Sequence, residues 1–219
     1  MARLPAAAGS LRTVAAGTTQ YVILGAGLDS FAYRPGLLGQ VRIFEVDQQA
    51  TQDLKRAKLA AAQIPEPGNV AFVPVDFESA SLAAELGRAG LDLSRPAFVS
   101  WLGVTMYLSR DALAGTLAEL GTLGAGSQVV ADYMLPAEMR DEAGSSYVEL
   151  VGPSSAERGE PWLTFLSPQQ MSELLVSHGL TPLRQLTQSD IADGAIWNRA
   201  DALRPVRLSM IAHAAVGLS

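Results

Sequence analysis

Tyr21-Val-Ile-Leu-Gly-Ala-Gly-Leu-Asp29 decides how the chain is read. Its first four residues are apolar without alternation, the pattern of a strand buried on both faces of a parallel sheet. They run into a turn on Gly25 and Gly27, where the backbone can take φ > 0 and a ligand can approach without meeting a Cβ. A glycine turn directly after the first strand is where a doubly wound α/β domain opens a nucleotide-sized crevice. About twenty residues on, where such folds place a ribose-binding acid, Val41-Arg-Ile-Phe-Glu-Val-Asp47 predicts a second strand tipped by a carboxylate. Turn and acid together predict an adenosine-bearing ligand.

The segments on either side keep the same alternation of strand and helix, the signature of βαβ crossovers. Residues 48–64 carry Leu54, Ala57, Ala61 and Ile64 at the spacing of one helical face, and Pro65 and Pro67 end the segment. Val70-Ala-Phe-Val-Pro-Val75 predicts a third strand, again ending in acid at Asp76, with Phe77 beside it. A short amphipathic helix is expected over 79–88. Ala97-Phe-Val-Ser-Trp101 predicts a fourth strand leading into Leu102-Gly-Val-Thr-Met-Tyr-Leu108. Ser109 is placed to cap a helix whose Leu113, Leu117 and Leu120 share a face, with Asp111 in its positive first turn. Residues 128–133 read as a fifth strand ending at Asp132 and Tyr133.

Over 134–166 the alternation stops. The stretch is rich in Gly, Pro, Ser and Glu, and it is too long for an ordinary connection, so a lid over a ligand or a mobile loop is expected. Ser167-Pro-Gln-Gln170 then has the form of a capping box with Pro in the first turn, and the helix it opens ends near His178 and Gly179. Residues 183–186 and 206–215 predict two closing strands, whose short connection favours an antiparallel pair. The expected architecture is a single α/β domain over 1–219. Its core is a Rossmann-like, doubly wound sheet of about seven strands, mostly parallel, with an antiparallel C-terminal strand.

Composition narrows the function. With 219 residues, 48% of them hydrophobic and 17% charged, the chain can bury a sheet covered on both faces. A net charge of −6 lacks the basic face that a nucleic-acid binder needs. Zero cysteines remove disulfides and thiolate chemistry together, and His178 and His213 stand too far apart for a metal pair. No basic, apolar leader and no uncharged run of membrane-spanning length is present. A cytoplasmic protein with a small-molecule partner, no metal and no membrane contact is expected.

Two adenosine cofactors compete for the opening turn. A dinucleotide wants a third glycine for close helix packing near its pyrophosphate, but Gly25-Ala26-Gly27-Leu-Asp-Ser30 has serine there, and Asp29 would repel the phosphates. S-adenosylmethionine has no phosphate and carries a sulfonium, which nearby acid does not disfavour. An acid at the tip of the third strand, Asp76, can also accept from an adenine amino group.

In combination, Gly25-Ala-Gly-Leu-Asp-Ser-Phe-Ala-Tyr-Arg34, Phe44-Glu-Val-Asp47, Val73-Pro-Val-Asp-Phe-Glu78 and Ser100-Trp-Leu-Gly-Val-Thr-Met-Tyr-Leu108 resemble the leucine carboxyl methyltransferase-like group of class I S-adenosylmethionine-dependent methyltransferases. That group includes bacterial polyketide O-methyltransferases. Gly159-Glu-Pro-Trp162 and Arg199-Ala-Asp-Ala-Leu-Arg204 are similar to its C-terminal segments, so the likeness runs from about Gln20 onward.

The resemblance implies an S-adenosylmethionine site made by Gly25, Ala26 and Gly27 under the methionine portion and Asp47 at the ribose. Glu45 is a second acid on the same strand. Asp76 and Phe77 would border the adenine, with Trp101 and Leu102 at the tip of the fourth strand. Leu102 departs from the pattern, because the carboxyl methyltransferases tend to have Glu there. The family's helical N-terminal region, which supplies an arginine to the cofactor carboxylate, is represented by about twenty residues, among them Arg3 and Arg12.

The implied activity is methyl transfer to a carboxylate or hydroxyl oxygen of a small molecule. An inert cofactor-binding remnant and a nicotinamide-dependent oxidoreductase are the alternatives. Tyr107 and Tyr133, just past the fourth and fifth strands, are the candidates to orient or deprotonate an acceptor. Several of these residues have plainer readings. Glu45 can form an ion pair instead, Asp29 can pair with Arg34 or cap a helix, and Tyr107 can be packed structure. Trp162 and Phe165 are either lid anchors or core.

Overall fold

Unbroken burial along the central strands marks a sheet covered on both faces in a computed structural model, which describes residues 18–33, 41–191, 197 and 204–217. Seven strands lie in the order β3-β2-β1-β4-β5-β7-β6. They are Gln20–Leu24 (β1), Arg42–Asp47 (β2), Val70–Pro74 (β3), Phe98–Trp101 (β4), Gln128–Met134 (β5), Leu180–Leu186 (β6) and Ser209–Val216 (β7). β1 pairs in parallel with both β2 and β4, and β3 and β5 extend the parallel array on either side. β7 inserts between β5 and β6 and runs antiparallel to both. The expected closing pair is therefore present, and it is β7 that meets the rest of the sheet.

The period of two sends Val22 and Leu24 to one face and Tyr21 and Ile23 to the other. Leu82–Arg88 (α2), Arg110–Leu120 (α3) and Pro168–Ser177 (α5) bury Leu86, Leu113, Leu117, Met171 and Leu175 on the first face. Ser81 caps α2 through the Ala84 amide, and Ser109 caps α3 through the Ala112 amide. Ser167 and Gln170 close a full capping box on α5. The starts at Ser109 and Ser167 lie where the sequence places them, while α2 begins at Leu82 rather than at residue 79.

Gln49–Ala61 (α1) departs from expectation. The face predicted from Leu54, Ala57, Ala61 and Ile64 is turned outward, leaving Leu54 53% exposed, and the residues that α1 buries are Gln52 and Lys55. The cause is a polar anchor beneath the helix. Lys55 Nζ lies 2.5 Å from Glu45 Oε2 on β2, and Gln52 Nε2 donates to the Glu45 carbonyl at 3.0 Å. A buried carboxylate needs a partner more than an alanine-rich face needs cover, so the helix turns toward it.

The second departure is Glu142–Glu157 (α4), a regular helix inside the stretch expected to be a lid or mobile loop. Asp141 caps it, accepting from the Gly144 amide at 2.7 Å, and the helix accommodates Pro153 in its interior. Glycines 144 and 152, the proline and the serines conceal it from propensity. It buries little of itself, only Gly144 and Ser155.

Candidate active site at the carboxyl edge of the sheet

β1 and β4 are adjacent in the sheet but not in sequence, so the chain leaves their carboxyl ends in opposite directions and a crevice opens between them. On the β1 side, Gly25 and Gly27 adopt φ of +63° and +48°. The turn is fastened to β2 by Ala26 N–H to the Val46 carbonyl at 3.0 Å and by Gly27 N–H to Asp47 Oδ2 at 2.6 Å. Asp47 Oδ1 accepts from Gln48 N–H at 2.8 Å. Each carboxylate oxygen thereby keeps a lone pair for a ligand hydroxyl.

The glycines do different work. A Cβ on Gly25 would lie 2.1 Å from Val104 Cγ2, so Gly25 is needed by the protein's own packing across the crevice. A Cβ on Gly27 would meet nothing within 4 Å, and the same is true of Gly103, whose φ is +76°. Gly27 and Gly103 thus present bare backbone to open space from the two sides of the switch point. Gly103 N–H donates to Asp132 Oδ1 at 2.8 Å, and Thr105 Oγ1 donates to the Asp132 carbonyl at 2.5 Å, which fixes the β4 loop against β5.

Beyond β3, exposed Asp76 accepts from Glu78 N–H at 3.0 Å and from Ser79 Oγ–H at 3.1 Å, closing its own turn. Phe77 is half-buried, its ring centroid 6.3 Å from that of fully buried Trp101. Glu78 reaches across to Ser109 N–H at 2.9 Å and tethers this loop to the start of α3. Exposed Asp76, half-buried Asp47 and buried Asp132 thus stand at or near the carboxyl ends of β3, β2 and β5, with half-buried Leu102 after β4 as the apolar element. Carboxylates along one sheet edge suit a ligand carrying hydroxyls and positive charge and disfavour phosphate.

Residues 8–121, which include this turn, Asp47, Asp76 and Leu102, match the family model of leucine carboxyl methyltransferase. The chain belongs to the leucine carboxyl methyltransferase family. Among curated relatives, the Bacillus subtilis protein named "Putative S-adenosyl-L-methionine-dependent methyltransferase YktD" is 36% identical over 200 residues, covering 90% of this chain and 66% of that one. A similarly named Mycolicibacterium paratuberculosis protein is 31% identical, over 76% of this chain and 60% of its own length. The family member described here thus spans less than two thirds of the curated relatives it matches. A Thermobifida fusca crystal structure superposes with a TM-score of 0.66 at 19% identity, covering 98% of this chain and 79% of the other. Magnesium protoporphyrin IX methyltransferase from Synechocystis, solved with bound S-adenosylhomocysteine, gives 0.56 at 12% identity over 98% and 84%. At those identities the likeness is one of fold.

Within this leucine carboxyl methyltransferase family member, two predicted site residues lie elsewhere. Glu45 is 1% exposed and committed to Lys55, the ion-pair reading rather than the crevice one. Burial holds its carboxyl above the ordinary glutamate value even though the Lys55 ammonium opposes the shift. Tyr133 points to the opposite face of β5 from Asp132. It is buried, and its hydroxyl donates to Gln185 Oε1, whose amide in turn donates to the Pro168 carbonyl at 2.8 Å and Ser172 Oγ at 2.6 Å. Burial pushes its phenol well above the ordinary tyrosine value. Tyr133 therefore fastens α5 and is removed from the crevice edge. Asp29 accepts from Phe31 N–H at 2.6 Å, the capping role, while Arg34, Arg3 and Arg12 lie outside the described residues.

Tyr107 is half-buried and packs, with Trp162 and Phe165, against the cluster of Met106, Met134 and Leu208, as the packed-structure reading expects. A cavity of ≈ 240 Å³ opens on the far side of the turn, lined by Leu28, Tyr33, Lys55, Leu59 and Ile64 among others. It shares no wall with Asp47 or Gly103, and its apolar lining does not suit a charged nucleoside. Gly103 and Glu78 were not singled out in the sequence, although Leu102-Gly-Val after a strand repeats the strand–glycine signal of the opening turn.

Proposed function

We propose that the chain binds S-adenosylmethionine in the crevice between β1 and β4 and transfers its methyl group to a carboxylate or hydroxyl oxygen of a small molecule. The observation that carries this reading is the Asp47 carboxylate, held 2.6 Å from Gly27 N–H beside open space. An acid in that position accepts from ribose hydroxyls, and the bare backbone at Gly27 and Gly103 leaves room for the methionine portion. Asp76 and Phe77 border the place of the adenine, and Asp132 adds negative charge where a cationic centre would sit.

When bound, S-adenosylmethionine supplies an electrophilic methyl on a sulfonium. The chain's own residues then need to align and desolvate the acceptor oxygen, and no protein nucleophile is required. A carboxylate acceptor arrives ionised and asks only for orientation. A hydroxyl needs its proton accepted or polarised, and Tyr107, in the loop after β4, is the residue we assign to it.

Calorimetric titration with S-adenosylhomocysteine and NAD tests the cofactor assignment. One equivalent of S-adenosylhomocysteine should bind, with no heat from NAD. Binding of neither would favour an inert remnant, and preference for NAD would favour an oxidoreductase; either result removes the transferase reading.

A further inference from the structure

The segment after α4 crosses the carboxyl edge as a strap. Leu163 N–H and Thr164 N–H both donate to the Met106 carbonyl, at 2.7 and 3.2 Å, and Thr164 Oγ1 donates to the Leu108 carbonyl at 2.6 Å. Leu166 N–H reaches the Met134 carbonyl at 2.9 Å. Four bonds thus fix the strap to the loop that follows β4 and to the last residue of β5. They set Trp162 against the same cluster of Met106, Met134 and Leu208 that Tyr107 packs on.

Two features of Trp162 call for a ligand. Its indole Nε1–H is buried and has no partner among the described residues. Buried donors are nearly always paired, and leaving one unmade is costly. Besides packing against the cluster of Met106, Met134 and Leu208, its ring stacks on Tyr147 of α4, with centroids 6.2 Å apart and planes 13° from parallel. Tyr147 is itself 44% exposed, and Leu150 one turn on is 79% exposed. One plate is therefore bolted to the sheet edge, while the other rides on a helix that buries almost nothing.

We propose that Trp162 and Tyr147 are an aromatic clamp for the methyl acceptor. The clamp selects a planar, conjugated molecule whose oxygen meets the Trp162 indole N–H edge-on, in the plane of that ring, while its face lies against the Tyr147 ring. The inference rests on the transferase reading above and specifies its substrate class. An aromatic face rewards a flat guest over a puckered one of the same charge, and opening the pair moves only an exposed side chain. The strap's bonds to Met106, Leu108 and Met134 hold Trp162 at the carboxyl edge of the sheet, so an oxygen carried on the planar body is brought to that edge.

The test is calorimetric, with S-adenosylhomocysteine saturating and two probes of like charge, 2-naphthoate and cyclohexanecarboxylate. The expected result is 2-naphthoate binding about 10-fold tighter than cyclohexanecarboxylate. Trp162→Phe, which keeps the face and loses the donor, should weaken 2-naphthoate by about 10-fold, the value of one hydrogen bond. Tyr147→Ala, an exposed substitution that leaves the fold in place, should weaken it by a similar factor and abolish the preference for the flat probe. Both variants should bind S-adenosylhomocysteine as the unsubstituted chain does. Equal affinity for the two probes, or unchanged 2-naphthoate binding in both variants, would overturn the clamp while the cofactor site stands. Failure of the unsubstituted chain to bind S-adenosylhomocysteine would remove the transferase reading, and the clamp with it.

Discussion

Lys55→Met should lower the unfolding free energy by about 3–5 kcal/mol, the cost of leaving one charge of a buried ion pair uncompensated. Glu45 is 1% exposed and Lys55 is its ion-pair partner at 2.5 Å, so removal of the ammonium leaves a carboxylate facing hydrocarbon. The pH dependence has a definite sign. Burial already raises the Glu45 carboxyl above its ordinary value in the folded chain. The stability linked to that proton is complete below the unfolded-state pKa and is lost as pH rises through the folded one. Without Lys55 the folded value moves further up, so the deficit should be smaller at about pH 5 than at about pH 8. Urea melts at the two pH values measure this directly. Adding Glu45→Leu to Lys55→Met should recover most of the loss, because replacing a whole buried pair with apolar groups is close to neutral. A single variant as stable as the parent, or a deficit that grows toward acid pH, would contradict the assignment.

Asp47→Ala should weaken S-adenosylhomocysteine by on the order of 100-fold, the loss of one to two hydrogen bonds made by a charged acceptor. The effect has a direct and an indirect part. The ribose loses its acceptor, and Gly27 N–H loses the oxygen 2.6 Å away that fixes the turn. Asp47→Asn keeps one acceptor oxygen and should fall between the two. Thermal melts separate the parts: a loss of affinity without a matching loss of stability places the effect at the ligand. Affinity unchanged in Asp47→Ala would mean that the adenosine sits elsewhere.

Much of this was legible in the residues because strand–turn chemistry is local. Val22 and Leu24 running into Gly25 and Gly27, with Asp47 ending the next strand, carry the parallel sheet and its crevice without reference to distant contacts. The capping sites at Ser109 and Ser167 are equally local. What the sequence concealed depends on tertiary partners. Apolar spacing in α1 pointed to Leu54 and Ala57, but the helix turns on Lys55, whose reason for burial is a glutamate on another element. Tyr133 and Asp132 are neighbours in sequence, yet the pleat sends them to opposite faces, and the phenol that was a candidate for chemistry became a tie to Gln185. The helix α4 was hidden because its glycines and proline carry no helical signal, and its Asp141 cap also accepts from Arg207 N–H at 2.9 Å, far along the chain.

The most direct test of the account is a crystal structure of the protein with S-adenosylhomocysteine. The ribose hydroxyls should lie within hydrogen-bonding distance of the Asp47 carboxylate, with the adenine beside Asp76 and Phe77 and the homocysteine portion passing over Gly27. A nucleoside found instead in the cavity between Tyr33 and Ile64, with Asp47 still bonded only to Gly27 and Gln48, would contradict it.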